Sequence, residues 1–345
     1  MRPESLCSFA SLSSVKIHLR RLQPRARLFG PRTLLSFALL AAFACAGALA
    51  QVRDYSTIVV FGDSLSDAGN VAHLTEINYG IRIPGPILPL IDYTDGRFTD
   101  GLDTIPAAQN YIGIWVEQFA ATLPSHPEIK DSLDGGTDYA YGFATTGSGT
   151  SALAFGPSNL FPVQVENIGQ QITDYLSTHP KIDNHTLFVI WGGAVDVLYA
   201  TSPKDVVNAA FQQVLNIQRL IDAGATQFLV ANVPPLGLTP RLNGSPAASL
   251  TATAGSALFN SYLATGTAVL KDFYWFRHLK VYQLDTFRLL SSIVAAPSAY
   301  SLTNATTPAQ AQPVDPDTYL FWDDLHPTTR GHNILAGSAT NLLSH

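Results

Sequence analysis

Two short segments near opposite ends of the 345-residue chain hold side chains suited to acyl transfer. Val59–Asn70 reads VVFGDSLSDAGN, an apolar run that enters Gly62-Asp63-Ser64-Leu65, and Trp322–Pro327 reads WDDLHP. A serine hydroxyl is a poor nucleophile until a neighbouring base takes its proton, and that base needs an acid to orient it. Ser64, His326 and Asp323 supply the three parts and predict a nucleophilic hydrolase. Asp324 is the competing acid; the three-residue separation from His326 favours Asp323. Taken alone, Ser64 reads more readily as a cap on the helix after its strand, with Asp63 or Asp67 able to do similar work. Alone, His326 reads as a loop histidine bonded to a carbonyl. The pairing of the two segments favours chemistry. His332 lacks such a pattern and is expected to decorate the terminal helix.

These residues need a frame, and the apolar pattern supplies one. Thr57–Phe61, Leu187–Trp191, Phe228–Asn232 and Val281–Leu284 are short apolar runs bounded by glycine, proline or polar residues, and they read as buried strands. Helical spacing is expected over Asn110–Leu123, from Pro162 through Leu176, over Val206–Ala223 and Leu250–Phe273, and from Thr328 to Leu343. Ile81–Gly101 and Thr303–Pro316 are rich in glycine or proline and read as surface loops. Strands alternating with helices predict an α/β fold with a parallel sheet covered on both faces. Ligands in such folds bind beyond the carboxyl ends of the strands. Ser64 follows the first strand and Val195-Asp196 the second, so both are expected on one rim.

The first fifty residues are set apart. They carry seven of the 20 basic residues and one of the 26 acidic ones, then the apolar run Leu34–Ala44 and the small-residue end Ala48-Leu49-Ala50. That arrangement predicts an export signal cleaved before Gln51, leaving residues 51–345 as a single domain in the periplasm or outside the cell. The remainder keeps 13 basic and 25 acidic residues, a formal net charge of −12. Such a surface disfavours nucleic acid. No second apolar stretch is long enough for a stable membrane span after cleavage. Both cysteines, Cys7 and Cys45, lie in the leader. The remainder therefore has no disulfide, thiolate metal site or cysteine nucleophile. The scattered histidines lack metal-ligand spacing, so no metal is expected.

VVFGDSLSDAGN, DYAYGFATTGSGT (138–150), FVIWGGAVDVLY (188–199) and WDDLHPT (322–328), in that order, resemble the sequence blocks of GDSL esterases and lipases, within the SGNH hydrolase superfamily. GRFTDG (96–101) and NVPPLG (232–237) are similar to further segments of that family. The resemblance implies a three-layer α/β/α sandwich, flavodoxin-like, that hydrolyses carboxylic esters without a cofactor. Ser64 would attack the carbonyl, His326 would carry the proton and Asp323 would orient the imidazole. The oxyanion would be held by the Ser64 backbone N–H, a backbone N–H of the glycine block at Gly142 or Phe143, and an asparagine side chain.

This chain departs from that pattern twice. Gly142-Phe143 stands where a Gly-Gly pair is usual, and Gly193-Ala194-Val195-Asp196 replaces Gly-x-Asn-Asp. Valine cannot donate a hydrogen bond. An ionised Asp196 only accepts and is expected to cap a helix. Asn70 is one candidate for a substitute donor. Two functions follow: an exported serine esterase or lipase acting on a small-molecule, lipid or acylated-carbohydrate ester, or a catalytically impaired hydrolase scaffold that binds lipid or carbohydrate.

Overall fold

The computed structural model describes residues 53–85, 93–94, 96–100, 113–155, 159–310 and 312–344. The expected export signal lies outside them. In chain order the strands are β1 (Thr57–Gly62), β2 (Thr150–Phe155), β3 (Phe161–Glu166), β4 (Thr186–Trp191), β5 (Gln227–Ala231), β6 (Lys280–Leu284), β7 (Asn304–Pro308) and β8 (Tyr319–Phe321). The main helices are α1 (Asn70–Tyr79), α2 (Trp115–Ala120), α3 (Ile168–Thr178) and α4 (Ala194–Tyr199). They continue with α5 (Pro203–Asp222), α6 (Pro246–Phe273), α7 (Thr286–Ala295) and α8 (Thr329–Leu343).

The main sheet has the order β1-β4-β5-β6, with every pair parallel. Its strands are near-continuous apolar runs because both faces are covered. Successive residues point to opposite sides. Val59, Phe61, Phe188, Ile190, Phe228 and Val230 join one buried cluster with residues of α3, α5 and α6. Ile58, Val60, Leu187, Val189, Trp191 and Leu229 join the other with residues of α2 and α8. The result is an α/β/α sandwich with a parallel central sheet.

The free edge of β1 is also paired. Val60 N–H donates to Thr137 O at 3.0 Å, and Tyr139 N–H donates back to Val60 O at 2.8 Å. The chain thus passes from β1 to a neighbour on one side, then returns to β4 on the other. This reversal opens a crevice at the carboxyl ends of β1 and β4, where open α/β sheets bind ligands.

Two expectations about local structure fail. Pro162 does not begin a helix; it lies in β3, paired antiparallel with β2 through Ala154, and the helix starts at Ile168. The buried residues before that point, Val163 and Val165, follow strand alternation rather than helical spacing. Proline is tolerated because a two-stranded hairpin does not need every N–H. The segment Thr303–Pro316 is not loop throughout, since Asn304–Pro308 pairs with β8. The helix expected over Asn110–Leu123 is present as Trp115–Ala120, with residues 110–112 outside the described part.

Candidate active site

Gly62 ends β1 against Trp191 at the end of β4. A Cβ at Gly62 would stand 2.5 Å from Trp191 O, so the two strand ends approach only because this residue is glycine. Gln171 of α3 clamps the same peptide: Gly62 N–H donates to its Oε1 at 3.0 Å, and its Nε2 donates to Gly62 O at 2.9 Å. The turn beyond is closed by Leu65 N–H donating to Asp63 Oδ1 at 3.1 Å and Ser66 N–H to Asp63 O at 3.0 Å. Ser64 sits half-buried on that turn.

Ser64 does not cap the following helix. That work falls to buried Asp67, whose carboxylate accepts the N–H groups of Gly69, Asn70 and Val71 at 2.8, 2.7 and 3.3 Å. The Ser64 hydroxyl meets His326 instead, with Oγ 2.9 Å from Nε2. His326 Nδ1 lies 2.6 Å from Asp323 Oδ2. The other carboxylate oxygen, Oδ1, accepts Leu325 N–H at 2.7 Å and His326 N–H at 2.5 Å. Both side chains are thereby held in one loop between β8 and α8, whose first turn is capped by Thr328 accepting from Gly331 N–H. Burial alone would raise the Asp323 pKa, but the facing imidazole and the hydrogen bonds from His326 and Tyr93 hold it well below the usual carboxylate range. Asp324, the competing acid, turns away to pair with Arg241 at 2.9 Å.

Two residues between α1 and α2 complete this arrangement: Phe98, within the GRFTDG segment, and Tyr93, which no local pattern identified. Tyr93 donates its hydroxyl to Asp323 Oδ2 at 2.5 Å. The Phe98 ring lies 5.2 Å from the imidazole, tilted by 31°.

His332 does not decorate the surface of α8. It is fully buried, and its Nδ1 accepts Trp115 N–H at 3.1 Å. Burial first, and nearby His326 second, lower its pKa to about 3. It is a neutral core histidine.

Among the described residues, neither Ser64 N–H nor Phe143 N–H makes a hydrogen bond. Gly142 N–H donates to Asp67 Oδ2 at 2.9 Å, which leaves Phe143 as the unpaired donor of the glycine block. Phe143 adopts φ 70°, an uncommon conformation for a bulky residue, and its ring packs edge-on against Tyr199 at 5.3 Å. Asn70 cannot substitute for an oxyanion donor, because both its amide protons are engaged: Nδ2 donates to Asp138 O at 2.8 Å and Ala140 O at 2.9 Å. Asp196 caps no helix of its own; its carboxylate accepts from Thr146 N–H and Oγ1, each at 3.0 Å, and ties α4 to the glycine block. Val195 is buried on α4 and lines the space beside Ser64.

Two cavities meet at this point. The wide one, ≈ 570 Å³, is bordered by Tyr93, Phe98, Phe143, Tyr199, Arg241 and Asp324. The narrow one, ≈ 80 Å³, runs beneath Ser64 among apolar side chains of α7, β8 and α8. Among the described residues, no group of three or more His, Cys, Asp or Glu is arranged to hold a metal ion. No described helix is long and apolar enough to cross a membrane.

Known proteins place this chain in a family. The profile of the GDSL-like lipase/acylhydrolase family matches residues 58–338. The chain belongs to that family of ester hydrolases. It is 27% identical over 341 residues to an uncharacterized protein from the trpE-trpG intergenic region of Pseudomonas putida, covering 90% of this chain and 52% of that one. It is 23% identical over 311 residues to the thermolabile hemolysin of Vibrio parahaemolyticus, covering 83% of this chain and 63% of the relative. A GDSL esterase/lipase of Arabidopsis thaliana is 23% identical over 330 residues, with 82% and 86% of the two chains covered. The chain thus spans about half the length of the Pseudomonas relative and under two thirds of the Vibrio one. A crystal structure of a lipolytic G-D-S-L protein from Veillonella parvula aligns over 83% of this chain and 96% of its own, with 12% identity and a TM-score of 0.39.

Proposed function

We propose that this protein is a serine esterase or lipase in which Ser64, His326 and Asp323 act together on a carboxylic ester. The observation that carries the reading is His326 itself: one ring nitrogen lies 2.9 Å from Ser64 Oγ and the other 2.6 Å from Asp323. Ser64 Oγ attacks the ester carbonyl carbon while its proton moves to His326 Nε2. Asp323 keeps Nδ1 protonated and stabilises the imidazolium. The carbonyl electron pair moves onto oxygen, where Ser64 N–H and Phe143 N–H donate to it. Collapse expels the alcohol, which takes the proton from Nε2. Water, deprotonated by His326, then attacks the acyl-serine, and collapse releases the acid as His326 returns that proton to Ser64 Oγ.

The third oxyanion donor is missing from this scheme because position 195 is valine. Loss of one such donor costs on the order of 10²–10³ in turnover, so the enzyme is expected to be slow. The esterase/lipase names among its relatives support a lipid or other carboxylic ester as substrate; an acylated carbohydrate fits the same chemistry. The same valine favours a second reading, an impaired hydrolase scaffold that binds such ligands without turnover. Hydrolysis of p-nitrophenyl esters by the purified protein, abolished by Ser64→Ala with the fold intact, supports the first. Undiminished hydrolysis in that variant contradicts it, and absence of hydrolysis in the parent favours the second.

We further propose that residues 1–50 direct export and are removed before Gln51, on the strength of their basic lead, apolar core and Ala48-Leu49-Ala50 end. N-terminal sequencing of the exported protein tests this; retention of the apolar run would contradict it.

A further inference from the structure

An ester carbonyl held at Ser64 has two substituents, which must leave it in different directions. Two cavities are available, and their chemistry differs. Both share Ser64, Val195, Leu198, Leu325 and His326, so they join at the reacting centre. The wide one carries the Arg241–Asp324 ion pair and Tyr93 on its walls. The narrow one is walled by Leu290 and Ile293 of α7, Leu320 and Phe321 of β8 and Leu335 of α8. Two hydroxyls in its lining are already engaged: Thr239 donates to Leu236 O at 2.7 Å and Thr286 to Asn232 O at 2.5 Å. Of the remaining polar side chains, Ser64 and His326 stand where the cavities meet, and Asp63 of the Ser64 turn has a buried Oδ2 without a hydrogen-bond partner.

We propose that the narrow cavity is an acyl-chain slot, that the wide cavity takes the alcohol, and that Val195 is part of the slot wall. The proposal rests on the esterase reading and adds the substrate class: esters of linear, unsubstituted acids longer than acetate. A slot walled almost wholly by hydrocarbon disfavours a sugar or a charged headgroup, because most of their polar atoms would lose water without replacement. It accepts a hydrocarbon chain, each buried methylene of which strengthens binding about fourfold. An asparagine amide at position 195 would interrupt the apolar wall; valine continues it. The substitution that removes an oxyanion donor therefore also shapes the chain-binding surface.

The test has two arms. In the first, kcat/KM is measured for p-nitrophenyl acetate, butyrate, hexanoate and octanoate. The expected result is a rise of severalfold or more from acetate to the preferred chain. Ile293→Phe, which narrows the slot, should lower the octanoate-to-acetate ratio at least tenfold, and Ile293→Ala should move the preference to longer chains. A flat or falling series in the parent, or an equal loss on every ester in Ile293→Phe, overturns the proposal. The second arm does not depend on turnover: calorimetry of octanoate and acetate binding to the Ser64→Ala protein. Octanoate should bind at least tenfold more tightly, and Ile293→Phe should remove that advantage. Equal binding of the two acids overturns the slot. Selective octanoate binding without ester turnover in the parent supports the slot and refutes the hydrolase reading.

Discussion

The hydroxyl of Tyr93 and the imidazole of His326 share one oxygen of Asp323, at 2.5 and 2.6 Å. A donor on that oxygen helps hold Asp323 in its ionised form, the form that orients the imidazole. Tyr93→Phe should therefore lower kcat with KM little changed, and lower the melting temperature. The loss corresponds to about 1.5–3 kcal/mol for a hydrogen bond to a charged group. A variant with the parental kcat and melting temperature would contradict this role for Tyr93.

Val195→Asn should return a side-chain donor to the oxyanion. The gain belongs to kcat rather than KM, because the charge develops only in the transition state, and its ceiling is roughly 10²–10³. Phe143, held at φ 70° beside the expected donor, crowds the same space. Phe143→Gly removes the ring and fits the left-handed backbone, so the double variant should exceed either single one. An unpartnered buried amide costs about 1–3 kcal/mol of stability in the resting enzyme. Steady-state kinetics with melting curves decide the matter: stable variants with no gain in kcat would mean that the oxyanion is not served from position 195.

His332 gives the fold a pH dependence of known sign. Its imidazole titrates near 6.5 when unfolded and near 3 when buried, so the folded protein binds fewer protons between those values. Stability from this residue is present above 6.5 and is lost as pH falls through the window, at up to about 1.4 kcal/mol per pH unit. Asp63, Asp67 and Asp100, raised by burial to about 7, 6 and 6, act in the opposite direction, since the folded state holds their protons longer as pH rises from about 4. His332→Asn retains an acceptor near the Nδ1 position and removes only the histidine's part. The variant should lose less melting temperature than the parent between pH 6.5 and 4.5. Parallel curves would contradict the assignment of His332 as a buried neutral group.

Much of this architecture is legible in the sequence, for physical reasons that also mark where legibility ends. The expected strands Thr57–Phe61, Leu187–Trp191, Phe228–Asn232 and Val281–Leu284 agree closely with the main sheet, because parallel strands buried on both faces are bare apolar runs. The α5 and α8 helices begin with capping residues, Ser202 and Thr328, so their starts carry local signals. Pro162 carries an ambiguous one, since proline suits both the first turn of a helix and a strand hairpin. The misread residues of the site depend on partners far along the chain. His332 is buried by Trp115, 217 positions away, and Tyr93 reaches Asp323 across 230. Asp196 looks like a local cap and Asn70 like a spare donor until their partners, Thr146 and the Asp138 and Ala140 carbonyls, are known. Spacing reports the face a residue occupies; it does not report which distant backbone group it meets there.

The central claim is that Ser64, activated by His326, is the nucleophile, and covalent labelling tests it without knowledge of the natural ester. The purified protein is treated with a fluorophosphonate and the labelled peptide is mapped by mass spectrometry. The account predicts a single adduct on Ser64, absent in Ser64→Ala and slowed at least a hundredfold in His326→Ala. Labelling of a different serine, or labelling of Ser64 at the same rate without His326, would contradict it.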